Sequence, residues 1–142
     1  MFVNPPADET AELLRAAHII AVVGLSPDRT RPSHGVARAL QRFGYRIIPV
    51  NPNVESVLGE PAVAMLEQLP EVLGPDERVD VVDVFRRPVH IAGIVADCIR
   101  LQLPALWLQE GVVDQAAAAR AVQARIFTVM DKCIFKERAA LR

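Results

Sequence analysis

Residues 18–33, HIIAVVGLSPDRTRPS, hold the residue types and spacing that best fit chemistry on an anion. An apolar, β-branched run stops at Gly24. A short loop through Leu25 and Ser26 then carries Arg29 and Arg31, and Pro32-Ser33 opens a helical pattern. A strand, a tight turn and a helix start in that order aim backbone N–H groups and the positive end of a helix dipole at one point, which suits a phosphate. The loop departs from the dinucleotide fingerprint G-x-G-x-x-G. Counted from Gly24, Ser26 replaces the second glycine and Arg29 the third.

The second strand narrows the choice of nucleotide. NAD sites commonly place an acid at the end of that strand to hold the ribose hydroxyls. Here YRIIPV runs into Asn51-Pro52, and no carboxylate follows before Glu55. A missing acid suits a ribose that itself carries a phosphate, as in NADP or coenzyme A, with arginine as the bidentate partner. Arg29, Arg31, Arg38, Arg86 and Arg87 are the candidates; solvated loop arginines are the plain alternative. Ser33 also reads as a simple helix N-cap.

Other chemistry is sparse. His18, His34 and His90 do not cluster, and none has a partner at metal-ligand spacing. Cys133, beside Asp131 and Lys132, reads either as an activated thiol or as a small buried residue at a strand end. Glu110 is a solitary carboxylate. There is no nucleophile elbow, carboxylate pair or metal motif, so no catalytic or metal-ligating residue is expected.

The elements that must position these residues alternate regularly. Five apolar runs read as strands: Ile19–Val23, Arg46–Val50, Val79–Phe85, Ala105–Leu108 and Arg125–Val129. Helical patterns cover Asp8–Ala17, Ser33–Phe43 (stopped by Gly44), Val63–Leu69, Val89–Leu101 and Asp114–Ala124, with Asp114 as an N-cap. This alternation predicts an α/β fold, a doubly wound parallel five-stranded sheet with helices on both faces. Ligands of such sheets lie beyond the carboxyl ends of the strands. The segments after each strand, including Asn51–Asn53, Phe85–Pro88, Gln109–Gly111 and Met130–Cys133, are accordingly polar or marked by Gly and Pro.

Composition sets the outer bounds. The chain has 142 residues, enough for one domain with its own core, and 51% of them are hydrophobic. A formal net charge of −1 and 5% aromatic residues argue against nucleic-acid binding. Two cysteines without metal spacing, no signal-peptide pattern and no apolar run of membrane-spanning length make a cytoplasmic protein the expectation.

Five strings in order, VVGLSPDRTRPSHGVARAL, GYRIIPVNP, VDVVDVFRRP, LWLQEGVVD and VMDKC, resemble the small stand-alone coenzyme A-binding domain proteins. Through them the chain is similar to the N-terminal domain of the succinyl-CoA synthetase α subunit, from about Ala16 to Cys133. The resemblance implies a single Rossmann-like domain over residues 1–142 that binds coenzyme A or an acyl-CoA. It places Gly24, Leu25, Ser26, Arg31, Pro32 and Ser33 at the phosphates and Val50, Asn51 and Pro52 beside the adenosine. Phe85 and Arg86 would cover the adenosine, with Gln109 and Gly111 near the pantetheine. Many relatives have Cys-Pro where this chain has Cys133-Ile134, which leaves the thiol end of the site open. In the synthetase, catalysis belongs to further domains, whereas only a short basic tail, Lys136–Arg142, follows here. The implied role is a non-catalytic binding or regulatory module, with an unidentified protein partner as a further expectation. The alternatives are a small NADP-dependent reductase, for which no proton donor stands out, and the CoA-binding part of an acyl-CoA-processing complex.

Overall fold

Short β-branched runs with no polar face can only be buried on both sides, and they become the central sheet. The computed structural model describes residues 1–141. Strands β1 (Ile19–Val23), β2 (Arg46–Val50), β5 (Val81–Val84), β6 (Ala105–Leu108) and β7 (Phe127–Val129) pair in the order β2-β1-β5-β6-β7, all parallel. Helices α1 (Ala7–Ala16), α2 (Pro32–Arg42) and α5 (Ile134–Ala139) cover one face; α3 (Ile91–Arg100) and α4 (Gln115–Gln123) cover the other. This is the doubly wound Rossmann-like arrangement read from the alternation. Val23 is in register with both Val50 and Val84, and Val84 with Leu108. The segments starting at Gly24, Asn51, Phe85 and Gln109 therefore leave the sheet side by side.

Several boundaries and two elements differ from the sequence reading. The third run is shorter than Val79–Phe85 because Asp80 turns its carboxylate onto the His18 and Ile19 amides, at 2.8 and 3.0 Å. The last strand begins at Phe127 because Arg125 adopts a left-handed turn at φ 66°. Val63–Leu69 is not an α-helix. Val63 forms a β-bridge to Val50, and a 3-10 segment, Leu66–Glu71, follows with Pro70 inside it. An antiparallel hairpin of β3 (Ser56–Val57) and β4 (Glu60–Pro61) was not foreseen, because two-residue strands carry no periodicity. Helix α5, which takes in the start of the basic tail, folds onto α1 and α2; Arg142 lies outside the described residues. Asp114 caps α4 as read, its Oδ1 accepting from the Ala117 amide at 3.0 Å.

One core position of the sheet carries a carboxyl group. Asp83, in register with Val22 and Trp107, is fully buried and neither carboxyl oxygen has a partner among the described residues. Burial pushes its carboxyl well above the ordinary carboxylate range. No helix among the described residues is long and apolar enough to cross a membrane.

Candidate functional site

Gly24 determines how the first loop leaves the sheet. Its φ of 84° favours glycine, and its amide donates to the Val50 carbonyl at 3.0 Å. A Cβ here would collide with the Phe85 carbonyl and come within 3.0 Å of Arg86 Cδ. The ends of β1 and β5 therefore touch, and the Arg86 stem lies across the bare glycine.

Local hydrogen bonds then shape the loop. Leu25 is fully buried, and its carbonyl accepts from Asn51 Nδ2 at 2.9 Å, while Asn51 Oδ1 accepts from the Asn53 amide. Asn51 thereby ties the β1 loop to the β2 loop. The Asp28 carboxylate accepts from the Thr30 amide and hydroxyl at 2.9 and 2.7 Å, and its carbonyl accepts from the Arg31 amide. The Thr30 amide, then its hydroxyl, then the weaker pull of Arg31 hold the Asp28 carboxyl below its ordinary value. This turn delivers Arg31 to the start of α2.

That start departs from the N-cap reading of Ser33. Arg31 occupies the cap position without a side-chain cap bond, and Ser33 lies in the first turn. Its Oγ accepts from the Ser26 amide at 3.0 Å, which leaves the hydroxyl hydrogen free to donate. The Ser33 amide meets no acceptor among the described residues, and Pro32 has no N–H to satisfy. An open amide and a free hydroxyl at a helix N-terminus make a seat suited to an anion.

A cleft of about 700 Å³ extends from this seat across the sheet end. It brings together Gly24, Ser26, Arg31, Pro32, Ser33, Phe85, Arg86, Gln109 and Gly111. Val50 and Pro52 line a second cavity, of about 450 Å³, between the β2 loop and α3. Arg86 borders both cavities and divides them. Leu25 and Asn51 line neither. Arg29, His34 and Arg38 lie apart, around a depression on the outer side of α2.

The cleft has a cationic side and a neutralised one. No carboxylate among the described residues lies within 4.0 Å of Arg31, Arg86 or Arg87. On the far lip Glu110 pairs with Lys136 of α5 at 3.1 Å, and this contact raises the Lys136 pKa. Gln109 is 5% exposed, and its Oε1 accepts from the Ile134 amide at 3.0 Å. The Gly111 amide donates to Asp131 at 2.8 Å, and Trp107 Nε1 to the Lys132 carbonyl at 2.8 Å. These bonds fasten the loop after β7 to the loop after β6 and bring Cys133 into the cleft wall.

Val36, Arg87, Pro88, Glu110, Val112 and Cys133 complete the wall beyond the residues assigned from sequence. Val36 sits three residues after Ser33 on the same helix face, a spacing that could have revealed it. The other cysteine, Cys98, lies in α3, where burial pushes its thiol up to about 12. No group of three or more metal-ligating side chains is present among the described residues.

Comparisons with known proteins bear on the family and the fold. The model of the family described as "CoA binding domain" matches residues 18–139. The Bacillus subtilis protein YneT is 39% identical over 131 residues, covering 92% of this chain and 93% of its own. A Thermus thermophilus structure, cell-free ID.343, superposes with a TM-score of 0.86 at 34% identity, covering 95% of this chain and 98% of its own. An acetyl-coenzyme A synthetase of Ca. Korarchaeum cryptofilum shares the fold with a TM-score of 0.68 at 18% identity, over 84% of this chain and 28% of the synthetase.

Proposed function

Because this chain belongs to the CoA-binding domain family, we propose that its two cavities hold the two halves of coenzyme A or an acyl-CoA. The phosphates sit against the Ser33 amide and hydroxyl and Arg31. Adenosine enters the cavity bordered by Val50 and Pro52, and the pantetheine runs along the larger cleft toward Gln109 and Gly111. Arg86, on the wall between the cavities, pairs with the phosphates that join the halves. The observation that carries this reading is the anion seat: an open Ser33 amide, a free hydroxyl and arginines without carboxylate partners among the described residues, with no acid at the end of β2 to repel a ribose phosphate. The chain acts as a binding or regulatory module that presents the thioester to a protein partner. Calorimetry with coenzyme A, dephospho-CoA, NADP and NAD tests it. Coenzyme A should bind most tightly, and tighter binding of NAD would overturn the reading.

A further inference from the structure

Cys133 belongs to the wall of the same cleft, and a pantetheine arm ends in a thiol. Taking the CoA reading as its premise, we infer that Cys133 is a thiol–disulfide exchange site for the sulfur of the bound ligand, with the Gln109 amide holding the arm beside it. The anion seat follows β1, whereas the loop that carries Cys133 lies over the end of β6: the Lys132 amide donates to the Leu108 carbonyl at 3.4 Å and the Ile134 amide to Gln109. In the order β1-β5-β6 that is two inter-strand steps, about 10 Å. From its phosphate oxygen to its sulfur the pantetheine chain has the backbone length of about four extended residues, about 14 Å. A ligand with its phosphates in the seat is therefore long enough to bring its sulfur to Cys133.

Gln109 marks that end independently. Its side chain is buried, and the Ile134 amide claims Oε1, which fixes the amide orientation. Nε2 then faces the other way and has no acceptor among the described residues. Only the Asp83 oxygens are both fully enclosed and unpartnered among those residues, so Nε2 opens onto accessible space, and the cleft is the space Gln109 lines. A ligand that fills the cleft displaces water from this donor, and a carbonyl of the pantetheine amides or of a thioester then satisfies it. Lys136, one turn into α5, lies close enough to Cys133 for a thiolate there to help retain its proton. Cys98, walled into α3, has no such access.

The reaction is balanced without an external oxidant. Cys133 loses its proton to solvent, and the thiolate attacks one sulfur of a CoA disulfide held in the cleft. The Cys133–CoA bond forms as the original S–S bond breaks, and the second CoA leaves as a thiolate and takes up a proton. One disulfide replaces another.

The full chain is incubated with CoA disulfide and, in parallel, with glutathione disulfide, then mapped by mass spectrometry without reduction. One CoA per chain should appear on Cys133 and be released by dithiothreitol. Its rate should exceed that with glutathione disulfide at least about tenfold, because a held ligand meets the thiol at an effective concentration in the millimolar range. Cys133→Ser should abolish the adduct. Gln109→Glu keeps the acceptor for Ile134 but removes the donor, and should slow the CoA reaction toward the glutathione rate. An adduct on Cys98, or equal rates for the two disulfides, overturns the proposal. So does an absent adduct when calorimetry shows that the wild-type chain binds reduced coenzyme A; failure to bind reduced coenzyme A would remove the CoA reading itself.

Discussion

The two ends of the sheet treat the same kinds of side chain in opposite ways. At the amino end, Asp80 accepts from the His18 and Ile19 amides, and Arg46 binds Glu77 at 2.7 Å and the Val72 carbonyl at 2.6 Å. Glu77 also accepts from the Gly74 amide at 2.7 Å; that bond first, and Arg46 second, hold its carboxyl below the ordinary value. At the carboxyl end, among the described residues, Arg31 and Arg86 have no acid and the Ser33 amide has no acceptor. The first end spends its polar groups on closing the fold. The second leaves them open, which is what a site for an anionic ligand requires.

The largest blow to this contrast is Gly24→Ala. The φ of 84° and the collision with the Phe85 carbonyl should together cost about 2–5 kcal/mol and abolish coenzyme A binding. Gly35→Ala, in α2 where a Cβ meets nothing within 4 Å, should instead gain about 0.5–1 kcal/mol. Denaturant titration of both variants decides it; equal stabilities would show that the crossing of β1 and β5 is not tight.

A paired test then separates the ends. Arg31→Ala should weaken coenzyme A binding by roughly 1.5–3 kcal/mol, about 10–150-fold in Kd, with little loss of stability. Dephospho-CoA should lose less if Arg31 serves the 3′-phosphate, and as much if it serves the pyrophosphate. Asp80→Ala should do the reverse, costing about 1–2 kcal/mol of stability while affinity holds. If Asp80→Ala lowered affinity as far as Arg31→Ala does, the two ends would not be independent.

The smallest effect concerns Asp83. Its folded carboxyl stays protonated while the unfolded chain ionises above about pH 4, so stability falls as pH rises from there toward the folded value. Asp83→Val removes that slope and the orphaned oxygens, for a gain of about 1 kcal/mol near pH 5. The difference in Tm between variant and wild type should widen at pH 8. A constant difference would mean that Asp83 has found a partner.

The bounds of β1, β2 and β6 were readable because uniformly apolar runs ending in Gly24, Asn51 and Gln109 have only one way to be buried. Asp80 and Arg125 misled at their strand ends because a side-chain clamp and a left-handed turn leave no mark in hydrophobic periodicity. The same limit applies to the site. Gly24, Ser26 and Arg31 are contiguous enough to read as a loop, but the division of labour within it was not legible. Leu25 is buried and Asn51 braces the loops, whereas Arg86 stands between two cavities. Cys133 could be placed at a strand end, but its position in the cleft wall depends on Trp107, Gln109 and Gly111 holding its loop from 20 or more residues away.

Asn4 donates to the Met130 carbonyl at 2.9 Å and accepts from the Met130 amide at 2.8 Å, joining positions 126 residues apart. During synthesis this pair must wait until β7 has left the ribosome. The amino-terminal segment, made first, is among the last to be fastened, and a closure this long slows the final step of folding. Until then Trp107 lacks the Lys132 carbonyl and Gln109 lacks the Ile134 amide, so the far end of the cleft takes shape only after β7 and the start of α5 have been made.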